Sequence, residues 1–242
     1  MKIGIIGAGH IGGTLTRRLA ALGHDVYVAN SRGPDTLADL TKETGAKAVT
    51  VKEAARAGTD LVIVTIPLRN VARLPRDLFA GAAEDVVIVD TGNYYPQRDG
   101  LIEEIESGTT ESRWTSKQLG RPVVKAFNTI YAQHLLEKGK PKGASGRIAL
   151  PVAGDDETAR KVVMDLVDEL GFDPVDAGTI DESWKQQPGT PVYGTDLDAE
   201  GTRRALDAAK PDRPQQFRAS GAPPTASRPA SSGGKESRPG AP

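Results

Sequence analysis

The chain has 242 residues, a formal net charge of -1 and no cysteine, which is enough for one large domain or for one large domain and a small partner. The missing basic surplus argues against nucleic-acid binding, and the missing cysteine excludes disulfides and thiol catalysis. The apolar runs are too short for a membrane span or for the core of a signal peptide, so the composition predicts a cytoplasmic protein.

The chain opens on a strand, a glycine-rich turn and a helix. Met1–Ile6 is typical of a buried strand, Gly7–Gly12 reads Gly-Ala-Gly-His-Ile-Gly, and helical sequence runs from Gly13 to Leu22. This order of elements matches the dinucleotide fingerprint G-x-G-x-x-G. The alternative, an ordinary glycine-rich turn, does not explain why a second strand follows the helix.

Each position of the fingerprint has an expected part in binding a dinucleotide. Gly7 permits the tight turn out of the strand, Gly9 lets a pyrophosphate approach the backbone, and Gly12 lets the helix pack closely on the sheet. The free amides at the start of the helix, near His10 and Ile11, are expected to bind the phosphate anion.

The second predicted strand, 25–29, ends in Asn30, Ser31 and Arg32. An acidic residue at this place would bind the ribose hydroxyls of NAD and repel a 2′-phosphate. The guanidinium of Arg32 and the hydroxyl of Ser31 suit a phosphate instead. The sequence therefore predicts NADP(H) as the cofactor, with a solvated loop arginine as the alternative interpretation.

Strands and helices continue to alternate through the first half of the chain. The predicted helices are 35–45, 52–57 and 71–78, the last interrupted at Pro75, and the predicted strands are 46–51, 60–67, 85–90 and 122–127. Continuous apolar runs are typical of parallel strands that are covered on both faces. The pattern predicts an α/β fold with a doubly wound parallel sheet, a Rossmann domain over residues 1–135.

A small C-terminal α/β domain is expected over residues 145–210. Its predicted strands are 147–153 and 172–176, and its predicted helices are 156–170 and 198–209. From Pro211 the composition changes to proline, serine, glycine, alanine and charged residues. Such a segment cannot bury enough apolar surface to become ordered, so residues 211–242 are predicted to be a disordered tail.

Ligands of open α/β sheets bind beyond the carboxyl ends of the strands. Ile66 and Pro67 follow one strand and offer an apolar wall for a nicotinamide ring, and Gly92 follows the next and would let backbone approach the ribose or the ring. The alternative is that these are ordinary turn residues. The cofactor candidates at these two ends are Thr65, Ile66, Pro67, Gly92 and Asn93.

A second group of candidates lies on the expected acceptor side. Asn128 and Thr129 follow the strand 122–127 and could hydrogen-bond the carboxamide or the substrate. Trp184 and Tyr193 could stack on an acceptor ring, or they could pack the small domain. Three histidines, at positions 10, 24 and 134, show no metal-ligand spacing, so no metal is expected.

Taken together, the motifs resemble the NADPH-dependent deazaflavin (coenzyme F-420) reductase family, over roughly residues 1–180. The same module is similar to the cytosolic reductase domain of the STEAP metalloreductases. The resemblance implies a Rossmann domain and a small C-terminal domain, NADPH at the fingerprint and at Ser31 and Arg32, and hydride passing to a flavin-like ring. It also suggests a homodimer. The segments that carry it are Gly7–Gly12, Asn30–Pro34, Thr65–Pro67, Asn93–Pro96, Val124–Ile130, Pro151–Asp156 and Lys161–Met164.

The sequence departs from the archaeal deazaflavin enzymes at three places. Their glycine-rich turn is one residue longer, and they carry a histidine where this chain has Asn128. The segment Trp184–Gly194 does not match theirs. The family is therefore better indicated than the identity of the small-molecule acceptor.

Direct hydride transfer between two planar rings needs positioning and exclusion of water more than it needs an acid or a base. No tyrosine here is followed by a lysine four residues later, as a short-chain dehydrogenase requires, and Lys125 is interpreted as a solvated or capping residue. The sequence predicts an oxidoreductase that passes hydride between NADPH and a deazaflavin or flavin. Two alternatives stay open: a reductase of small carbonyls or imines, since the N-terminal half also resembles pyrroline-5-carboxylate reductase, and a non-catalytic NADP(H) sensor.

Overall fold

The computed structural model of the protein describes residues 1–222. Six parallel strands form the main sheet in the order β3-β2-β1-β4-β5-β6. The order reverses between β1 and β4, as in the dinucleotide-binding Rossmann fold, so the predicted doubly wound parallel sheet is confirmed. The strands are β1 (Lys2–Ile6), β2 (Asp25–Ala29), β3 (Lys47–Ala48), β4 (Leu61–Val64), β5 (Val87–Asp90) and β6 (Val124–Lys125).

Helices cover both faces of this sheet. Leu61 and Ile63 of β4 join the core on one face, whereas Val62 and Val64 join the core on the other. This two-sided burial is why the strand is an unbroken apolar run. The helices are α1 (His10–Ala21), α2 (Ala38–Thr44), α3 (Val51–Ala57), α4 (Leu68–Val71), α5 (Pro96–Asp99), α6 (Glu103–Glu106), α7 (Glu111–Leu119) and α8 (Ala132–Glu137), and a 3₁₀ turn at Pro34–Leu37 precedes α2.

Several predicted boundaries were wrong, each for a local reason. The strand predicted over 46–51 ends at Ala48, because the Thr50 hydroxyl accepts a hydrogen bond from the Glu53 amide and caps α3. The helix predicted over 71–78 is replaced by α4 and turns, since Pro75 cannot continue a helix. The strand predicted over 122–127 is short, because Phe127 turns the chain with a φ of 60°.

A second, two-stranded parallel sheet follows along the chain. Its edge joins the main sheet through an antiparallel bridge, in which Lys125 and Ala153 exchange backbone hydrogen bonds of 2.7 and 3.0 Å. The smaller unit is therefore fixed directly beside β6. Its elements are β7 (Ala149–Val152), α9 (Glu157–Glu169), β8 (Asp173–Asp176), a 3₁₀ turn at Ile180–Gln186 and α10 (Ala199–Asp207), and a 3₁₀ turn at Gln215–Phe217 comes after it.

The prediction of disorder from Pro211 onward was wrong for residues 211–222. Arg213 donates to the buried carboxylate of Glu111 at 2.8 Å, and Arg218 pairs with the buried carboxylate of Glu106 at 3.3 Å. Composition could not reveal this order, because it comes from ion pairs with distant acidic residues rather than from apolar burial. Residues 223–242 of the predicted tail lie outside the described residues. Within the described chain, none of the helices is both long and apolar enough to cross a bilayer.

Candidate functional site

The turn between β1 and α1 has the steric character that the fingerprint predicts. Gly7 has a φ of 114°, and a Cβ there would lie 2.2 Å from the carbonyl oxygen of Thr65. A Cβ at Gly12 would lie 1.9 Å from the carbonyl oxygen of Gly7, so only glycine lets α1 approach β1 this closely. A Cβ at Gly9 would meet no protein atom within 4 Å. The backbone at Gly9 is thus open to a ligand.

Helix α1 presents an anion site beside this open backbone. The helix is 12 residues long, its N-cap is Gly9, no side chain caps it, and no acidic residue stands in its first turn. The amides of His10 and Ile11 therefore keep the free hydrogens that a helix start always offers. Together with the helix dipole they suit a pyrophosphate, and this part of the structure fits NADP(H).

The end of β2 separates the three residues expected there into two roles. The Asn30 side chain accepts from the Arg32 amide at 2.9 Å and donates to the Thr36 hydroxyl at 2.9 Å, so it shapes the loop itself. Ser31 and Arg32 are exposed. The Arg32 guanidinium has no hydrogen bond or ion pair with any residue of 1–222. Ser31 and Arg32, the two residues predicted to bind a 2′-phosphate, are therefore accessible, whereas the Asn30 side chain is hydrogen-bonded within the loop.

The predicted strand ends come together around one cleft of about 700 Å³. The cleft lies at the carboxyl ends of β1, β4 and β5, where the strand order reverses. The cofactor candidates that line it are Gly9, His10, Ile11, Thr65, Ile66, Pro67, Gly92 and Asn93. A second set of lining residues, called here the acceptor wall, comprises Tyr95, Arg98, Phe127, Asn128, Ile130, Tyr131, Gln133, His134 and Tyr193.

A buried ionic group holds the floor of this cleft at Gly92. The Gly92 amide donates to Asp90 Oδ1 at 2.8 Å, and the Lys125 ammonium donates to the Gly92 carbonyl. Lys125 is 0% exposed, so the interpretation of it as a solvated or capping residue was wrong. Its Nζ lies 3.5 Å from Asp90 Oδ2 and 4.0 Å from Glu111 Oε2. A buried lysine needs such partners, and here Asp90 and Lys125 bind the N–H and the carbonyl of Gly92.

Glycine at position 92 has a packing reason within the protein. A Cβ there would lie 2.8 Å from the Leu68 Cδ1 atom and 2.9 Å from Asp90 Oδ1. Access of this backbone to the ribose or the nicotinamide ring stays a prediction, and Gly92 lines the cleft.

Asn128 lines the cleft, but its side chain is engaged by the protein. Its amide group donates to the Gln186 carbonyl at 2.6 Å and to Asn93 Oδ1 at 3.1 Å, and its oxygen accepts from Gln186 Nε2 at 3.0 Å. Asn128 thus ties the acceptor wall to the loop after β5. Thr129 is buried, and its carbonyl accepts from the Gly194 amide at 2.9 Å.

The two aromatic candidates of the acceptor side are separated. Tyr193 lines the cleft. Trp184 lines a different cavity of about 360 Å³, together with Pro211 and Arg213. The structure therefore brings Tyr193, and not Trp184, to the place where an acceptor ring could stack.

Three tyrosines form a cluster in the cleft, and only Tyr193 among them was predicted as a site residue. The hydroxyls of Tyr95 and Tyr193 are hydrogen-bonded to each other, and Tyr131 is 59% exposed on the same wall. Burial raises the pKa of Tyr193 above its ordinary value, and the hydrogen bond with Tyr95 raises it further. The Tyr193 hydroxyl is therefore neutral and keeps its proton. Tyr95 directly follows Asn93 and Tyr94, so its place after β5 was the available signal.

A histidine and a carboxylate meet at the edge of the same wall. His134 Nδ1 lies 2.8 Å from Asp196 Oδ1, and Lys138 donates to Asp196 Oδ2 at 2.7 Å. Burial raises the pKa of Asp196, but hydrogen bonds from Lys138 and His134 outweigh it and hold that pKa below its ordinary value. The carboxylate is thus charged and fixes the imidazole. The two residues are 62 positions apart, so no local pattern could reveal the pair.

Comparison with known proteins places the chain in a family. A model of the family described as "NADP oxidoreductase coenzyme F420-dependent" matches residues 2–94. The protein YjhV of Escherichia coli (strain K12) is 51% identical over 103 residues, which is 42% of this chain and 68% of YjhV. The hypothetical protein SMa0349 from Sinorhizobium meliloti has 33% identity and a TM-score of 0.69, over 81% of this chain and 95% of that one.

Two further similarities bear on the predicted resemblance. A structure from Arthrobacter sp. FB24, described as an F420-dependent NADP-reductase, shares the fold with a TM-score of 0.61 at 24% identity, over 74% of this chain and 86% of that one. The metalloreductase STEAP3 of Rattus norvegicus is 28% identical over 181 residues, which is 74% of this chain and 34% of STEAP3. The glycine fingerprint, the open end of β2 and these similarities agree: the chain belongs to the coenzyme F-420-dependent family of NADP oxidoreductases.

Proposed function

We propose that this chain transfers hydride between NADPH and a deazaflavin or flavin-type acceptor. The observation that carries the proposal is the tyrosine cluster: three of the five tyrosines of the chain line the same cleft as the cofactor candidates. Tyrosine rings offer flat apolar surface, and their hydroxyls offer hydrogen bonds. A tricyclic ring system with polar edges needs both.

The dimensions of the cleft suit two ligands in contact. Its volume of about 700 Å³ lies within the usual range for cofactor and ligand sites. Ile66 and Pro67 give the cleft an apolar surface, and Tyr95 and Tyr193 line the same cleft. We propose that a nicotinamide ring rests on Ile66 and Pro67 and that the acceptor ring rests on the tyrosines.

NADPH, when bound, supplies a hydride donor. The residues of the chain supply position: Gly9 and the amides of α1 hold the pyrophosphate end, and the pinned Gly92 peptide supports the nicotinamide end. Bringing two reacting rings together in the correct geometry lowers the barrier by removing most of the entropic cost of the encounter. The cleft therefore needs no acid or base at the transferred hydrogen.

The acceptor is tested by a screen with NADPH over deazaflavin, FMN, FAD, ferric chelates, imines and carbonyls. We expect bleaching of the deazaflavin or flavin chromophore with one NADPH consumed for each acceptor reduced. With NADPH deuterated at the nicotinamide C4, a deazaflavin should acquire the deuterium on carbon, as direct transfer requires. The proposal fails if deazaflavin and both flavins stay oxidised at saturating NADPH.

A second candidate function is the reduction of a small carbonyl or imine. It is favoured by the hydroxyl pair of Tyr95 and Tyr193, because a hydroxyl in the cleft could donate a hydrogen bond to the substrate oxygen or nitrogen as hydride arrives. Oxidation of NADPH only with imines or carbonyls in the same screen would select this function. Tight NADPH binding without turnover of any acceptor would select a non-catalytic sensor.

A further inference from the structure

We infer that residues 211–219, named here the C-terminal strap, position the acceptor wall of the cleft. The strap lies behind the loop that follows β5, and it touches that loop through charge, through a backbone hydrogen bond and through a ring contact. Its effect on acceptor turnover rests on the proposed function, whereas its effect on the loop does not.

The strap completes the buried ionic group beneath Gly92. Arg213 donates to Glu111 Oε1 at 2.8 Å and to Gln187 Oε1 at 3.0 Å. The Arg213 side chain is 9% exposed and the Glu111 side chain 0%. The other oxygen of Glu111 lies 4.0 Å from Lys125 Nζ, and the same ammonium bonds the Gly92 carbonyl. A chain of charges thus runs from the strap to the floor of the cleft.

The strap also contacts the cleft-lining loop directly. Gln97 Nε2 donates to the Gln216 carbonyl at 2.9 Å. The rings of Phe217 and Tyr95 lie 6.3 Å apart, centroid to centroid. Tyr95 is one of the two tyrosines whose hydroxyls meet in the cleft. The strap therefore contacts a tyrosine of the acceptor wall, while none of its own residues is in the lining of the cleft.

A second carboxylate anchors the far end of the strap. Glu106 accepts from Arg218 at 3.3 Å and from the Ala219 amide at 2.6 Å. Near the other end, the Arg213 guanidinium lies 5.2 Å from the centroid of the Tyr94 ring, within the range of a cation–π contact. Arg213 and Arg218 pair with the buried carboxylates of Glu111 and Glu106, and these ion pairs fix both ends of the strap.

The contacts of the strap are with the acceptor side of the cleft and not with the glycine turn Gly7–Gly12. Each contact named for the strap goes to residues 94–111 or to position 187, and none goes to the glycine turn or to the end of β2. Loss of the strap should therefore loosen the acceptor wall while the pyrophosphate site persists. Small displacements of a positioned reactant cost about 10²-fold in rate.

Two shortened chains test the inference against the full chain. Ending the chain after Ala222 removes only residues 223–242 and should leave kinetics unchanged, whereas ending it after Ala209 removes the strap. We expect the shorter chain to keep the Kd for NADPH within about threefold and to lose about 10²-fold in acceptor kcat/KM. Equal kinetics for the two shortened chains would overturn the inference.

If the chain ending at Ala209 does not fold, point variants of the strap test whether it positions the acceptor wall. Arg213→Gln and Phe217→Ala should each lower acceptor kcat/KM with little change in NADPH binding, and Arg213→Lys should restore part of the loss at the first position. Arg203→Gln on the exposed face of α10 is the matched control. Normal acceptor kinetics in both strap variants would refute the positioning role.

Hydrogen exchange separates this inference from the proposed acceptor. With NADPH bound and no acceptor present, the amides of residues 92–99 should exchange faster in Arg213→Gln than in Arg203→Gln. If deazaflavin and flavins are not reduced but this difference is found, the strap inference stands and the acceptor proposal falls. If exchange at residues 92–99 is unchanged, the strap inference falls whatever the acceptor.

Discussion

Substitution of Arg32 by alanine separates the two forms of the cofactor. The guanidinium is exposed at the end of β2 and has no protein partner among residues 1–222. It therefore has no structural bond to lose. Any loss of affinity in Arg32→Ala must come from contact with the ligand, and the 2′-phosphate is present in NADPH and absent from NADH.

The size of the effect follows from the exposure of the site. A hydrogen bond to a charged group contributes about 1.5–3 kcal/mol. Salt screens charges at an exposed position, so a contribution near the lower part of this range, about 2 kcal/mol, is expected at Arg32. At about 1.4 kcal/mol for each tenfold change, Kd for NADPH should rise about 30-fold. Kd for NADH should change less than about twofold.

The assay is a titration of both cofactors against the full chain, Arg32→Ala and Arg32→Lys. The lysine variant keeps the charge but not the planar fork of donors, so it should regain part of the NADPH affinity. Raising the salt concentration should shrink the difference between the full chain and Arg32→Ala. An equal loss for NADPH and NADH would refute the phosphate role of Arg32, and Arg203→Ala serves as the control for removal of a surface arginine.

Three other substitutions test the remaining physical claims. Gly12→Ala places a Cβ 1.9 Å from the Gly7 carbonyl oxygen and should lower Tm and abolish NADPH binding, whereas Gly13→Ala in the same turn, with its nearest contact at 3.4 Å, should keep both. Tyr193→Phe should reduce acceptor kcat/KM about tenfold at unchanged NADPH affinity. Because the pKa of Tyr193 is raised, its ionisation should cause no fall in the rate of the full chain between about pH 6 and pH 9. Hydrogen bonds from a lysine and an arginine lower the pKa of Asp168. Its carboxylate therefore stabilises the fold above its unfolded pKa of about 3.9 and loses that effect as the pH falls. The Tm difference between the full chain and Asp168→Asn should shrink from about pH 7 to about pH 3, and a constant difference would contradict this origin.

The cofactor half of the site could be predicted because its determinants are local. Between Gly7 and Gly12 the residue types report backbone geometry directly: a positive φ, a close approach of helix to strand, and open backbone. At the end of β2, the charge of the side chains was the local signal that predicted NADP(H). The bonds of Asn30 were not predicted, since its contacts with Arg32 and Thr36 depend on how the loop folds back.

The pairings that build the acceptor half could not be predicted, because the paired residues are distant in sequence. Tyr95 and Tyr193 are 98 residues apart, and Arg213 and Glu111 are 102 apart. Neither pair has a pattern that a window of sequence could show. The same reason explains the error over residues 211–222, where composition predicts disorder and two buried carboxylates provide order.

The boundary of the family match falls at the same place as this division of the site. The family model covers residues 2–94, and the acceptor wall begins with Tyr95. The match therefore includes the glycine turn and the strand ends that we propose bind NADP(H), whereas the residues that we propose contact the acceptor lie beyond it. The cofactor half of the site consists mainly of backbone amides and glycines, which leave little room for variation. The acceptor half is built by side chains, which come from the loop after β5, the segment before α8, Tyr193 and the strap. Substitutions in that second half could change the acceptor and leave the cofactor unchanged, which is why Arg32→Ala and Tyr193→Phe should affect different substrates of the same reaction.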